Sequence, residues 1–222
     1  MILWILLFVL VVAISFILAA KSMRDFADIP SIADEYSLFL IRKLDFLNKD
    51  LLDQLISNLL KQNKILSFER LFKGDQSALV VFGPRHLLLN HKAALDLLEL
   101  EDYTDINVNH ISAWEVGIKK MSGEEKIFSN LPKLLENEQF WWQVIVSVSL
   151  KPQITAMIVS ADTVRRNTLR EPLQHLEKEK VVKLPKAFSN SQLLDFYKAR
   201  SLRGDNNNPV LNTEDFLDLL RI

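Results

Sequence analysis

Residues 77–85 read Ser-Ala-Leu-Val-Val-Phe-Gly-Pro-Arg, and the fold turns on what that stretch is. Ser77 to Phe82 is a short apolar run rich in strand formers, with the turn signal Lys73-Gly74-Asp75 before it and Gly83-Pro84 after it. Leu87 to Leu98 then reads as a helix. Strand, glycine turn and helix in that order mark the place of a phosphate-binding loop in an α/β nucleotide-binding domain. Such a loop needs a second glycine so that the backbone can wrap the phosphates, a lysine for their charge and a hydroxyl for magnesium. Counting from Gly83, those places hold Leu88, Leu89 and Asn90, which removes both the cradle and the neutralising charge. Arg85 alone is an ordinary surface cation. The spacing predicts a degenerate phosphate-loop-like unit without nucleotide hydrolysis.

Upstream, the chain reads as helix through Leu38 to Leu47 and again through Leu51, Leu52, Leu55, Ile56, Leu59 and Leu60, an i, i+1, i+4, i+5 pattern with Asp50 as its N-cap. Downstream, a β-prone run lies near Asp105 to Ile111, Ile118 to Phe128 contains a loop, and Leu131 to Glu136 reads as helix. Gln143 to Leu150 stays open: its β-branched residues and near-alternation favour a strand, while Phe140-Trp141-Trp142 fits the end of a helix running into it. Ile154 to Ser160 is the clearest buried strand. Asp162 can cap a helix from Thr163 towards Arg170, with Pro172 breaking or kinking it, and Val181 to Leu184 is a short strand. A helix follows Ser189 with Gln192 in the capping-box position, then an Asn206 to Pro209 loop and a helix from Thr213 to Leu220. No internal repeat is visible. Strands alternating with helices predict an α/β class: a small, mostly parallel sheet flanked by helices over residues 73–222, behind a helical lead-in at 21–72.

Residues 1–20, from Met1 to Ala20, carry no charge, and at about 1.5 Å per residue they match a bilayer core of about 30 Å. They predict a single transmembrane anchor. A cleaved signal would begin with a basic segment, and no Lys or Arg precedes Lys21. Lys21 and Arg24 favour a cytoplasmic C-terminal domain. The expected location is therefore a single-pass position in a membrane, with the C-terminal domain in the cytoplasm.

The 27 basic and 28 acidic residues give a near-neutral chain with no basic field for nucleic acid, and the lack of cysteine excludes thiolate metal sites, disulfides and cysteine nucleophiles. His91 and Asp96 form an H-x-x-x-x-D pattern that resembles the first motif of membrane-bound glycerolipid acyltransferases. In that chemistry the histidine deprotonates an acceptor hydroxyl and the aspartate orients it. The Phe-Pro-Glu-Gly-type acceptor segment of those enzymes has no counterpart here. His86, His110 and His175 are too scattered for a metal site, and Ser147 and Ser160 lie in no nucleophile elbow. No catalytic, cofactor-binding or metal-binding residue is assigned, and no cofactor is expected. Of the adjacent pair Trp141-Trp142, only one can face a given core, which leaves the other for an interface.

The order of parts resembles the N-terminal segment of the IcmF family, inner-membrane components of type VI and related bacterial secretion systems. The likeness is carried by the apolar N-terminus, the strand Ala78 to Phe82 entering Gly83-Pro84, the tryptophan segment before Lys151-Pro152, and Ile158-Val159-Ser160-Ala161-Asp162 with Leu184-Pro185 beyond. This chain departs from the family in lacking the phosphate-loop residues, an Asp-x-x-Gly segment and a Thr-Lys-x-Asp motif. The resemblance implies a membrane-tethered, non-catalytic scaffold that binds other membrane or secretion-complex proteins. The alternatives are an acyltransferase-like enzyme using His91 and Asp96, and a GTPase-like receptor subunit.

Overall fold

The computed structural model describes residues 36–119, 128, 131–147, 149–179, 181–185, 187–203 and 208–220. Its centre is an eight-stranded sheet: β1 Tyr36–Ile41, β2 Leu66–Lys73, β3 Gln76–Pro84, β4 Leu97–Leu100, β5 Ile111–Ile118, β6 Gln139–Val146, β7 Gln153–Val159 and β8 Val182–Lys183. The strand order is β4-β1-β3-β2-β6-β7-β5-β8, and every pairing is antiparallel. The helices are α1 Lys49–Gln62, α2 Arg85–Leu89, α3 Lys92–Leu95, α4 Thr163–Lys178, α5 Asn190–Ala199 and α6 Thr213–Leu220.

The order carries a repeat that the sequence hides. β1, α1, β2, β3, the short α2–α3 pair and β4 form a split β-α-β unit of order 4-1-3-2. β5 to β8 repeat that order from the opposite edge, with α4 in the second helix place. The two units join where β2 meets β6 over the register Leu66↔Val146 to Lys73↔Gln139.

The antiparallel sheet corrects the expected mostly parallel one. Gly74 takes a φ of +55°, which glycine adopts without steric cost, so β2 turns straight back into β3 as a hairpin. β3 then fills the gap between β1 and β2, antiparallel to both, and the parallel neighbour that a phosphate-loop domain requires has no place beside it. The degenerate phosphate-loop reading falls with it. Gly83 is instead a strand residue opposite Ser37, and a β-carbon there would lie 2.6 Å from Leu66 Cδ1. Gly83→Ala is expected to cost about 1–2 kcal/mol as the fully buried Leu66 shifts, measured as a lowered urea midpoint.

Several element readings shift as well. Leu38 lies in β1 rather than a helix, and strands from both sides of residue 72 share the sheet. The helix expected from Leu87 to Leu98 breaks at Asn90-His91 and ends at Asp96, whose φ of 49° is left-handed, and Leu97 and Leu98 begin β4. Residues 131–135 are irregular, not helical. Asn48, not Asp50, caps α1: its side chain accepts the Leu51 amide at 3.0 Å. The open stretch at 143–150 resolves as strand through Val146. The Asp162 cap and the Ser189–Gln192 capping box form as expected, and Pro172 sits inside α4 without ending it.

The anchor expected at 1–20 lies outside the described residues. Among the described residues no helix is long and apolar enough to cross a membrane. The longest, α4 with 16 residues, would span about 24 Å against the roughly 30 Å of a hydrocarbon core. The single-pass inner-membrane location with a cytoplasmic domain therefore has no support in the fold and is set aside.

Alternation along the strands builds two cores. On one face Phe39, Phe68, Val81, Phe140, Trp142, Val144 and Ile158 pack under α1, α4 and α6. On the other, Ile111, Ala113, Trp141, Met157 and Val159 pack under Leu193, Leu194, Phe196 and Tyr197 of α5. Trp141 and Trp142 thus serve one core each, and both are essentially fully buried.

Candidate functional site

The strongest convergence of polar side chains lies at the centre of the α5 face. β2 alternates, so Ser67 and Glu69 point to this face while Leu66 and Phe68 point away, and the register places Gln143 of β6 beside Glu69. The Glu69 carboxylate is fully buried. Its Oε1 accepts from Arg200 Nε at 2.8 Å, Ser67 Oγ at 3.1 Å and Gln143 Nε2 at 3.2 Å. Its Oε2 accepts from the Tyr103 hydroxyl, which also lies 2.9 Å from the Tyr197 hydroxyl.

Arg200 closes the cluster from α5. It is the C-cap residue, with a φ of 47°, so the chain turns sharply there and directs the guanidinium back over the sheet. Nη1 donates to Asp102 Oδ2 at 3.0 Å and to the Lys198 carbonyl at 3.2 Å, and the guanidinium carbon sits 4.8 Å from the Phe82 ring centroid. Asp102 in turn accepts from the Thr104 amide and hydroxyl. Farther along α5's face, Arg203 makes a second anchor: its amide donates to Gln153 Oε1 at 2.6 Å and its Nη2 to Thr155 Oγ1 at 3.1 Å.

What this cluster can do chemically follows from its valences. Five hydrogen bonds reach Glu69, three on Oε1 and two on Oε2, the last from Arg200 Nη2 at 3.5 Å, so both carboxylate oxygens are engaged inside the cluster. Burial, with the charge of Glu69 added to it, pushes the Tyr103 and Tyr197 phenols well above 10.0 and keeps both protonated. Arg200 is opposed by burial but held above its ordinary value by Glu69 and Asp102. The arrangement is a closed clamp that ties the end of α5 and the 102–104 segment to the sheet.

The clamp sets a pH window for stability. The tyrosines have raised folded pKa values, so their contribution is complete below 10.0 and is lost as pH climbs towards those values. Burial pushes Asp102 up, but Arg200 and Thr104 outweigh it and leave it below 3.8, so its contribution holds above 3.8 and is lost as pH falls further. Urea midpoints against pH should show a plateau bounded on both sides. In the Tyr103→Phe/Tyr197→Phe chain the alkaline fall should be shallower; an unchanged alkaline limb would contradict the buried assignment.

The residues singled out in the sequence are not gathered here. His91 and Asp96 are not joined: Asp96 lies 3.6 Å from Arg42, and no hydrogen bond links it to His91 among the described residues. Arg85 pairs with Glu99 at 3.1 Å and His86 with Gln62 at 3.2 Å. Ser147 meets Ser149, and Ser160 accepts the Asp162 amide in the turn before α4. Leu88 is buried in the core. The clamp residues escaped sequence reading because Glu69, Asp102 and Arg200 are far apart in the chain. The signal that could have found them is a charged pair, Glu69-Arg70, inside the otherwise apolar Leu66 to Phe72.

A comparison with family models finds no match, and one with curated proteins finds none. Among solved structures, a mutant chlorite dismutase from Candidatus Nitrospira defluvii is similar at 14% identity over 73% of this chain and 95% of that chain. The TM-score is 0.26, and at that value the likeness carries no argument about what this chain does.

Proposed function

We propose that this chain is a non-catalytic interaction module that binds an extended segment of another protein along the edge strand β4. The observation that carries this reading is the state of that edge. β4 ends the sheet, pairs β1 on one side, and has no strand on its other side among the described residues. Leu98 is 49% exposed there, where an added strand would cover it. The closed valences of the Glu69 clamp support the non-catalytic half of the reading. A place in a bacterial secretion assembly belongs to the same proposal and rests on the sequence likeness alone.

The test is recovery of the tagged full chain from its native host beside a Leu98→Lys variant, which puts a charge on the edge. A partner held in stoichiometric amount by the native chain, and lost by the variant at an unchanged melting temperature, is the expected result. A native chain recovered alone, a partner retained by the variant, or an acyl-transfer activity abolished by His91→Ala would each overturn the reading.

A further inference from the structure

On the face opposite the clamp, a cleft of about 320 Å³ has Arg70 and Leu79 of the sheet at its base. Leu44, Asp45 and Leu47 form one wall, and Leu217 and Leu220 of α6 form the other. Arg70 is only 5% exposed. Its Nη2 donates to Ser77 Oγ at 3.1 Å and its guanidinium lies 5.7 Å from the Phe72 ring centroid, but its buried Nε has no hydrogen-bond partner among the described residues. No carboxylate pairs with it among the described residues, and burial alone lowers its pKa.

Arg203, 6% exposed and with its own bare Nη1, still has Glu115 at 4.0 Å. Arg200, equally buried, meets two carboxylates, and Arg165 meets Glu138 at 2.8 Å. A buried charge without a counter-charge is strongly unfavourable, and a buried donor left bare calls for a partner. The walls state the rest of the chemistry. Among the described residues five leucines line the cleft, Arg70 is its one cation, and Asp45 stands beside them, where it repels a second negative charge.

We propose that this cleft binds a small monocarboxylate with an apolar tail, its carboxylate against the Arg70 guanidinium and its tail against the leucines. A guanidinium edge matches a carboxylate with two parallel donors, and the volume, at the low end for ligand pockets, suits a short acyl chain. A phosphate dianion is disfavoured because, among the described residues, one cation faces an acidic lining residue.

Calorimetric titration of the full chain with octanoate tests this, with octanol as the uncharged control. Saturable one-to-one binding is expected, at least about tenfold weaker for octanol and for octanoate with Arg70→Met. Asp45→Asn should tighten octanoate binding a few-fold at low salt. Ligand-free Arg70→Met should melt at or above the native temperature, because it removes an uncompensated charge in favour of an apolar side chain. Failure of octanoate to bind, equal binding by octanol, or undiminished binding by Arg70→Met would overturn the proposal. So would a variant destabilised without ligand while the native chain binds none, which would make Arg70 a purely structural partner of Ser77.

Discussion

Glu69→Ala is expected to remove about 3–5 kcal/mol of stability, one of the two largest single effects in this fold. The loss comes mainly from what is left behind. Arg200 keeps its guanidinium 4% exposed with Asp102 as its remaining carboxylate, and the Tyr103 hydroxyl and the Gln143 amide lose an acceptor in the same buried space. In a Glu69→Leu/Arg200→Met double variant no charge is stranded, and most of the loss should return, because apolar residues of similar volume commonly replace a buried pair at little cost. Urea unfolding followed by far-ultraviolet circular dichroism measures both. A single variant within 1 kcal/mol of the native chain, or a double variant no better than the single, would show that the clamp does not hold the α5 face together.

The same residues explain where sequence reading failed. β7 was legible because all seven of its residues are buried, so its apolar run needs no alternation to be recognised. The caps at Asp162 and Ser189 were legible because the interaction is local: a side chain accepts an amide two or three residues on. β2 is not legible, and the strand order depends on it. Its residues Leu66 to Lys73 place Glu69 on one face and Arg70 on the other, and these two charges break the apolar pattern. Both are buried for reasons that lie far along the chain or in the cleft, which local propensity cannot register.

Without β2, the Lys73-Gly74-Asp75 signal reads as a boundary instead of a hairpin, and β3 reads as the first strand of a parallel unit. Gly83-Pro84 then reads as a loop emptied of its phosphate-binding residues. In the fold, Gly83 answers to the crowding of Leu66, a β2 residue. The internal repeat escaped for a related reason. It is a repeat of strand order, and order is set by which strands meet, while the residues filling each place differ: α1 carries Leu52, Leu55 and Leu59 into the core of the first unit, and the corresponding span of the second unit, residues 119–138, is partly outside the described residues.

Trp142→Ala should match Glu69→Ala in size, at about 3–5 kcal/mol, through a different mechanism. Trp142 is fully buried on the α1–α4–α6 face, edge-on to Phe128 at 5.3 Å, and in register with Arg70 on one side and Ala156 on the other. It stands on β6, the strand that joins the second unit to β2 of the first, so the cavity left by alanine opens at the seam. Its Nε1 has no hydrogen-bond partner among the described residues, which separates volume from polarity. Trp142→Phe forfeits no hydrogen bond and should cost less than half as much as alanine. Trp141→Phe, on the other face, also breaks the 3.0 Å bond to Gln139. Because the two units share one continuous sheet, Trp142→Ala should lower a single cooperative transition observed alike by fluorescence and circular dichroism. Two separated transitions would mean that β2 and β6 join the units too weakly to make them fold as one.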